Sequence, residues 1–213
     1  MSQKAIDKIS DAIALASHSR SSLRNGVLSI KSTSGLRTRH FINNMCSTED
    51  KFSYLEFGIL QGATICSAIY KNKIRAVGVD NWVEYNNEPV FNAITTQQNI
   101  DEFGEQSKCR IITSDVFLKS TFGLGKFDFI YFDAGQNFSY TNQKNVLKYY
   151  VKNFKNTLYA ACSYWNIDIV RKYFFECIED SDYNIVFKNE MFTHIYNDNT
   201  WGYGLAVFAL EKQ

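Results

Sequence analysis

Proline is nearly absent from this chain. Of 213 residues one, Pro89, is proline and eleven are glycine, which excludes collagen-like and low-complexity classes. Long apolar runs are missing too: no stretch approaches the roughly 18 residues that a membrane-crossing helix needs. Met1 to Asp11 mix charges and lack the apolar stretch of a signal peptide. Five cysteines, at 46, 66, 109, 162 and 177, form an odd set without a CxxC pair. That argues against a disulfide frame or a zinc site, and for reduced thiols in a cytoplasmic protein. Internal repeats are absent as well. What remains is 45% apolar and 15% aromatic, with 21% charged residues, enough to bury a sizeable core.

Acids are missing from one whole segment. Between Asp11 and Glu49 the ionised side chains are Arg20, Arg24, Lys31, Arg37 and Arg39. The segment is therefore +5 within a net charge of +1, and the rest of the chain is −4. A basic arm of this kind steers anionic ligands. The overall balance gives no general pull toward nucleic acid.

Ile6, Ile9, Ala12, Ile13 and Ala16 recur at helical spacing, which predicts an amphipathic helix over 3–17. Asn25-Gly26 marks a turn before a short apolar piece at 27–30, and Gly35 precedes a second helix over about 36–46. From residue 52 strands and helices alternate. Strands are expected at 54–57, 74–79, 109–113, 127–132, 158–162, 183–188 and 203–210. Helices are expected at about 64–70, 90–103, 140–154 and 167–178. This alternation predicts an α/β, doubly wound, mainly parallel sheet whose last two strands form an antiparallel edge. The organisation reads as an N-terminal helical segment, 1–50, before a sheet domain, 51–213. Apolar faces on the two N-terminal helices call for burial against the core or against a second copy in a homodimer.

Doubly wound sheets bind ligands at the carboxyl ends of their strands. Four of those ends carry Gly58, Asp80, Asp115 and Asp133. The first turn, Glu56-Phe57-Gly58-Ile59-Leu60-Gln61-Gly62-Ala63-Thr64, lacks the GxGxxG pattern; Leu60 stands where a pyrophosphate would need glycine. A GxxxxGK[ST] loop is also absent. The spacing suits a ligand laid across the turn without a pyrophosphate. Asp80 can accept from both hydroxyls of a ribose, Trp82 offers an aromatic face to an adenine, and Ser114 with Asp115 can meet the amino edge of that base.

These motifs resemble the class I S-adenosylmethionine-dependent methyltransferases over about residues 52–210. SYLEFGILQGATICSA, GVDNW, ITSDVF and FDFIYFDAG are similar to the small-molecule O-methyltransferases related to macrocin methyltransferases. SGLRTRHFINNMC and YWNIDIVR resemble a subgroup of that family. The resemblance implies a Rossmann-like sheet of seven strands binding S-adenosyl-L-methionine. It places Glu56, Gly58, Gly62 and Thr64 around the methionine part, Asp80, Asn81 and Trp82 at the ribose and adenine, Ser114 and Asp115 at the adenine, and Asp133 beside the methyl.

Two motifs depart from that pattern. Relatives often read DGxH after the fourth strand and Asp-Asp after the fifth, a set that can hold a divalent cation. Here the sequence reads Asp133-Ala134-Gly135-Gln136-Asn137 and Ser163-Tyr164, so no bound metal is expected. General-base help then falls to Asp133, Tyr164 or His40. Arg39 and Gln136 are the expected acceptor contacts, with the second helix docked as a lid above the strand ends. The acceptor is expected to be a small molecule, anionic or glycosylated. Nucleic acid and membrane are not expected partners. The alternative is a catalytically reduced methyltransferase-fold protein serving binding or assembly.

Overall fold

A computed structural model describes residues 3–47, 51–82, 89–104, 107–113, 125–133, 154–194 and 200–213. Strands β1 (Ser53–Phe57), β2 (Arg75–Asp80) and β4 (Phe127–Phe132) are almost entirely buried. Their near-continuous apolar runs are what strands covered on both faces require. With β3 (Lys108–Thr113), β5 (Phe154–Ser163), β6 (Tyr183–Met191) and β7 (Leu205–Lys212) they form one seven-stranded sheet in the order β3-β2-β1-β4-β5-β7-β6. β1 pairs in parallel with β2 and β4, and the β2–β3 and β4–β5 pairs are also parallel. β7 runs antiparallel to both β5 and β6.

The last two strands form the expected antiparallel edge. β7 is inserted, and β6 takes the outer position. Residue chemistry explains the order: Leu205 to Leu210 are buried throughout, whereas β6 exposes Lys188 and Asn189. Polar side chains on an outer strand guard its unpaired edge.

Six helices occur among the described residues: α1 (Gln3–Ser17), α2 (Asn25–Leu28), α3 (Leu36–Cys46), α4 (Ala63–Ile69), α5 (Pro89–Phe103) and α6 (Asp168–Glu179). None is long and apolar enough to cross a membrane. The helix expected at 140–154 falls outside the described residues, except that Phe154 begins β5. The apolar piece at 27–30 starts inside the single turn of α2.

Alternation along each strand divides the core in two. Tyr54, Ala76, Phe129, Tyr131 and Val207 face α1, α3, α4 and α5. Leu55, Val77, Ile130, Phe132 and Phe208 face α6, where Phe174 stacks on Phe208 at 4.6 Å. α3 corrects the expectation of a lid helix. It packs between α1 and α4, and residues 38–43 are all buried. Phe41 meets Phe129 edge-on at 6.1 Å. A helix buried on so many sides belongs inside a layer, and α3 covers one face of the sheet. The short stretch before it, residues 31–35, does reach the strand ends, where Ser34 meets Asp133 and Thr33 meets Tyr164.

Candidate functional site

β1 and β4 are neighbours at which the strand order reverses, β2 and β3 lying beyond β1 and β5 beyond β4. Their carboxyl ends therefore flank the switch point at which such sheets bind ligands. The backbone N–H of Asp133 donates to Phe57 O at 2.8 Å, joining the two ends.

On the β1 side the chain leaves through Gly58 (φ 83°), Leu60 (φ 44°) and Gly62 (φ 84°). Two positive-φ glycines explain why this turn is glycine-marked. The N–H groups of Ile59 and Leu60 donate to Asp80 Oδ2 at 2.7 and 2.9 Å, and Trp82 N–H donates to Oδ1 at 2.7 Å. Among the described residues three donors thus occupy three of the four acceptor positions on this carboxylate. This corrects the expectation that Asp80 is free to take two ribose hydroxyls: it first fastens the turn. Trp82 is 2% exposed and donates its indole N–H to Leu60 O at 2.7 Å. Burial removes its face from adenine stacking. Asn81 follows Asp80, half-buried.

Glu56 lies fully buried behind the turn. Tyr54 donates its hydroxyl to Oε2 at 2.7 Å and Thr64 donates to Oε1. Burial pushes the Glu56 carboxyl up to about 8 against those two bonds, with the charges of Asp133 and Asp80 adding to the rise. Thr64 is thereby committed to Glu56.

On the β4 side, Asp133 is 8% exposed. Ser163, at the end of β5, donates to Oδ1 at 2.5 Å, and Ser34 donates to Oδ2 at 2.7 Å. Burial pushes Asp133 up to about 6; the hydroxyls of Ser163, Ser34 and Tyr131 work against that rise. Tyr164 (φ 58°) stacks on Tyr203 at 5.0 Å and donates to Thr33 Oγ1 at 3.1 Å. Burial, then the Asp133 charge, pushes the phenol up to about 12. Near neutral pH Tyr164 keeps its proton, which disfavours it as a base and leaves Asp133 the better matched of the two.

Glu56, Asp80 and Asp133 form no ion pair among the described residues. No group of three or more His, Cys, Asp or Glu among the described residues is placed to hold a metal ion.

Arg39 and His40 are engaged elsewhere. The Arg39 guanidinium donates to Val27 O, to Leu28 O at 3.0 Å, to Ile30 O at 3.3 Å and to Ser67 Oγ at 3.3 Å. His40 Nδ1 bonds with Ser21 Oγ at 2.7 Å, and burial followed by the Arg39 charge lowers its pKa. These partners lie in residues 21–30 and in α4, which corrects the placement of both side chains at the transferred methyl. Ser114, Asp115 and Gln136 lie outside the described residues.

Neither a family model nor a curated protein matches this sequence. Solved structures do. TrmN from Thermus thermophilus matches with a TM-score of 0.62 and 9% identity, over 89% of this chain and 52% of that one. The chain thus spans about half the length of TrmN. An O-methyltransferase from Bacillus cereus in complex with SAH matches at 0.56 and 14% identity, over 97% and 91% of the two chains. The SAH-bound methyltransferase PaMTH1 of Podospora anserina matches at 0.52 and 13%, over 100% and 97%. The fold is the one these solved structures share.

Within it, sequence reasoning missed the face of α5 that supports the glycine turn. Thr96 donates to Leu60 O at 2.6 Å, Asn99 to Gln61 O at 2.8 Å, and Gln61 to Asn92 Oδ1 at 3.0 Å. Polar residues at 92, 96 and 99 share one helical face, and that was the available signal. Ser34 and Thr33 had no comparable signal.

The turn predicts a stability effect. Gly62→Ala retains a positive φ that side chains disfavour, and its Cβ would meet Thr96 Cγ2 at 3.2 Å. A loss of about 1–3 kcal/mol is expected from such strain, read from urea denaturation. At Gly26 a Cβ meets only ordinary contacts at 3.6 Å, so Gly26→Ala is the control. Equal midpoints for the two variants would contradict the strained turn.

Proposed function

We propose that this chain is an S-adenosyl-L-methionine-dependent methyltransferase that methylates oxygen or nitrogen of a small-molecule acceptor. The observation carrying this reading is the switch point. The Gly58–Gly62 turn and Asp133 adjoin there, with Asp80 and Asp133 contributing negative charge that no ion pair among the described residues offsets, while Glu56, pushed up to about 8, mostly keeps its proton near neutral pH. Such a field favours a cationic ligand, and S-adenosylmethionine carries a positive sulfonium. The SAH-bound neighbours of the same fold support the choice, as do the motifs similar to macrocin-type O-methyltransferases.

The residues fit that group. The backbone of the Gly58–Gly62 turn would border its methionine part, and the fourth acceptor position of Asp80 would take one ribose hydroxyl. Asn81 stands beside it, and Ser114 with Asp115 would meet the adenine. When bound, the cofactor supplies a methyl group already activated for attack. Asp133 then orients an acceptor hydroxyl and can hold its proton, while Gln136 adds a polar contact. Alignment of this kind supplies much of the acceleration. Ser163 and Gln136 stand in the motifs where the resembled family often carries metal-binding Asp and His, so the reading needs no cation.

Calorimetry with S-adenosylmethionine and SAH tests the reading. One-site binding of both is expected, with a stabilisation of about 2.7 kcal/mol at a hundredfold excess over Kd. Asp80→Ala should lose affinity and also soften the turn. Methyl transfer in the presence of EDTA is then followed by mass spectrometry against small molecules and RNA. Absence of binding would overturn the proposal. Methyl groups appearing in RNA would move the acceptor class, and binding without transfer to any acceptor would favour the role in binding or assembly.

A further inference from the structure

Residues 31–35 cross the carboxyl ends of β4 and β5 between two firm anchors. On one side Arg39 grips the carbonyls of Val27, Leu28 and Ile30. On the other, Thr200 O accepts from Arg37 N at 2.6 Å and Thr38 N at 3.3 Å. Gly35 lies so close to the 200–202 backbone that a Cβ there would come within 2.2 Å of Gly202 N. Between these anchors no backbone–backbone hydrogen bond involves residues 31–34 among the described residues. Side-chain hydroxyls fasten the segment to the site: Ser34 donates to Asp133, and Thr33 accepts from Tyr164. Ser34 also approaches Tyr131 Oη at 3.5 Å. Thr33 is exposed and Ser34 half-buried, so water can reach the fastening.

We propose that residues 31–35 are a strap latched by Ser34 on Asp133, and that an uncharged hydroxyl of the acceptor takes the place of the Ser34 hydroxyl when the strap opens. The acceptor half of this statement rests on the methyltransferase reading; the strap itself does not. The chemistry around Asp133 selects the class. Among the described residues its hydrogen-bonding side chains are Ser34 and Ser163, with Tyr131 and Tyr164 nearby, all of them hydroxyls. A carboxylate or phosphate brought to the open Oδ2 would face the negative Asp133, which has no cation paired with it among the described residues. Arg39, which a sequence reading assigns to an anionic acceptor, is spent on the strap's anchor. A neutral hydroxyl reproduces the bond that Ser34 makes.

Amide hydrogen exchange on the full chain tests the latch without cofactor or turnover. Ser34→Ala should speed exchange of the residue 34 amide, which donates to Ser32 Oγ at 2.9 Å, by about tenfold, the effect of losing one hydrogen bond to a charged group. Exchange across 38–46 should stay at the parent rate. Ser34→Thr keeps a hydroxyl and should restore slow exchange. Unchanged exchange in Ser34→Ala, or equally fast exchange in both variants, would overturn the latch. For the acceptor, mass spectrometry of the products formed from S-adenosylmethionine and a small-molecule extract should find methyl ethers of uncharged hydroxyls. Methyl groups on nitrogen or on carboxylates would overturn the class, while failure to bind SAH would instead count against the methyltransferase reading.

Discussion

Arg39→Ala is expected to lower the stability of the folded chain by about 2–5 kcal/mol, the range for removing a buried charged partner whose acceptors stay behind. Arg39 is 2% exposed, and burial alone lowers its pKa to about 10. It stays protonated at neutral pH and spends that charge on three backbone carbonyls and the Ser67 hydroxyl. Removing it leaves the buried carbonyl of Val27 with the Ile30 N–H at 3.2 Å alone, while those of Leu28 and Ile30 are half-buried and recover part of the loss from water. Arg39→Lys keeps the charge but not the planar fork, so it should fall between parent and Ala variant. Urea denaturation of the three proteins checks the order. A parent-like midpoint for Arg39→Ala would mean the guanidinium contributes nothing to the fold. A side chain serving only acceptor recognition would leave the midpoint unmoved, so the experiment separates the two roles.

Arg39 also shows where sequence patterns stop being informative. Strands β1 and β4 were legible because fully buried parallel strands read as apolar runs, α1 because its apolar residues recur at helical spacing, and α3 because Gly35 marks its start. The glycine turn was legible because positive φ at positions 58 and 62 leaves few other choices. The partner of a polar side chain is another matter. Asp80 was expected to be an open acceptor, yet the nearest donors are the backbone N–H groups of its own turn, which no residue pattern announces. Trp82 looked like a ligand-facing aromatic and instead fills space under Leu60. Ser34 and Asp133 are 99 residues apart, and only the folded sheet brings them together. Likewise, the alternation of strands and helices fixed the parallel half of the sheet but not the insertion of β7, which depends on which strand can bear an exposed edge.

Glu56→Gln is expected to flatten the dependence of stability on pH. In the fold the Glu56 carboxyl titrates at about 8 against an ordinary 4.5, so between those values the folded chain holds a proton that the unfolded chain has released. Stability therefore falls as pH rises: the contribution is fully present below 4.5 and is lost as pH passes about 8. At about 1.4 kcal/mol per pH unit, the difference is on the order of 3–5 kcal/mol across the window. Asp133, raised from 3.8 to about 6, tilts the curve the same way between pH 4 and 6. Glutamine preserves the volume, keeps an oxygen for the Thr64 hydroxyl, and can offer its amide to the Tyr54 oxygen. It carries no charge to strand in the core. The variant should therefore gain on the parent steadily from pH 5 to pH 8, while the shallower slope due to Asp133 persists below pH 6. Urea midpoints at pH 4.5, 6 and 8 measure the divergence. Parallel curves for parent and variant would show that Glu56 ionises in the fold as it does in water, and the burial argument for this carboxyl would fail.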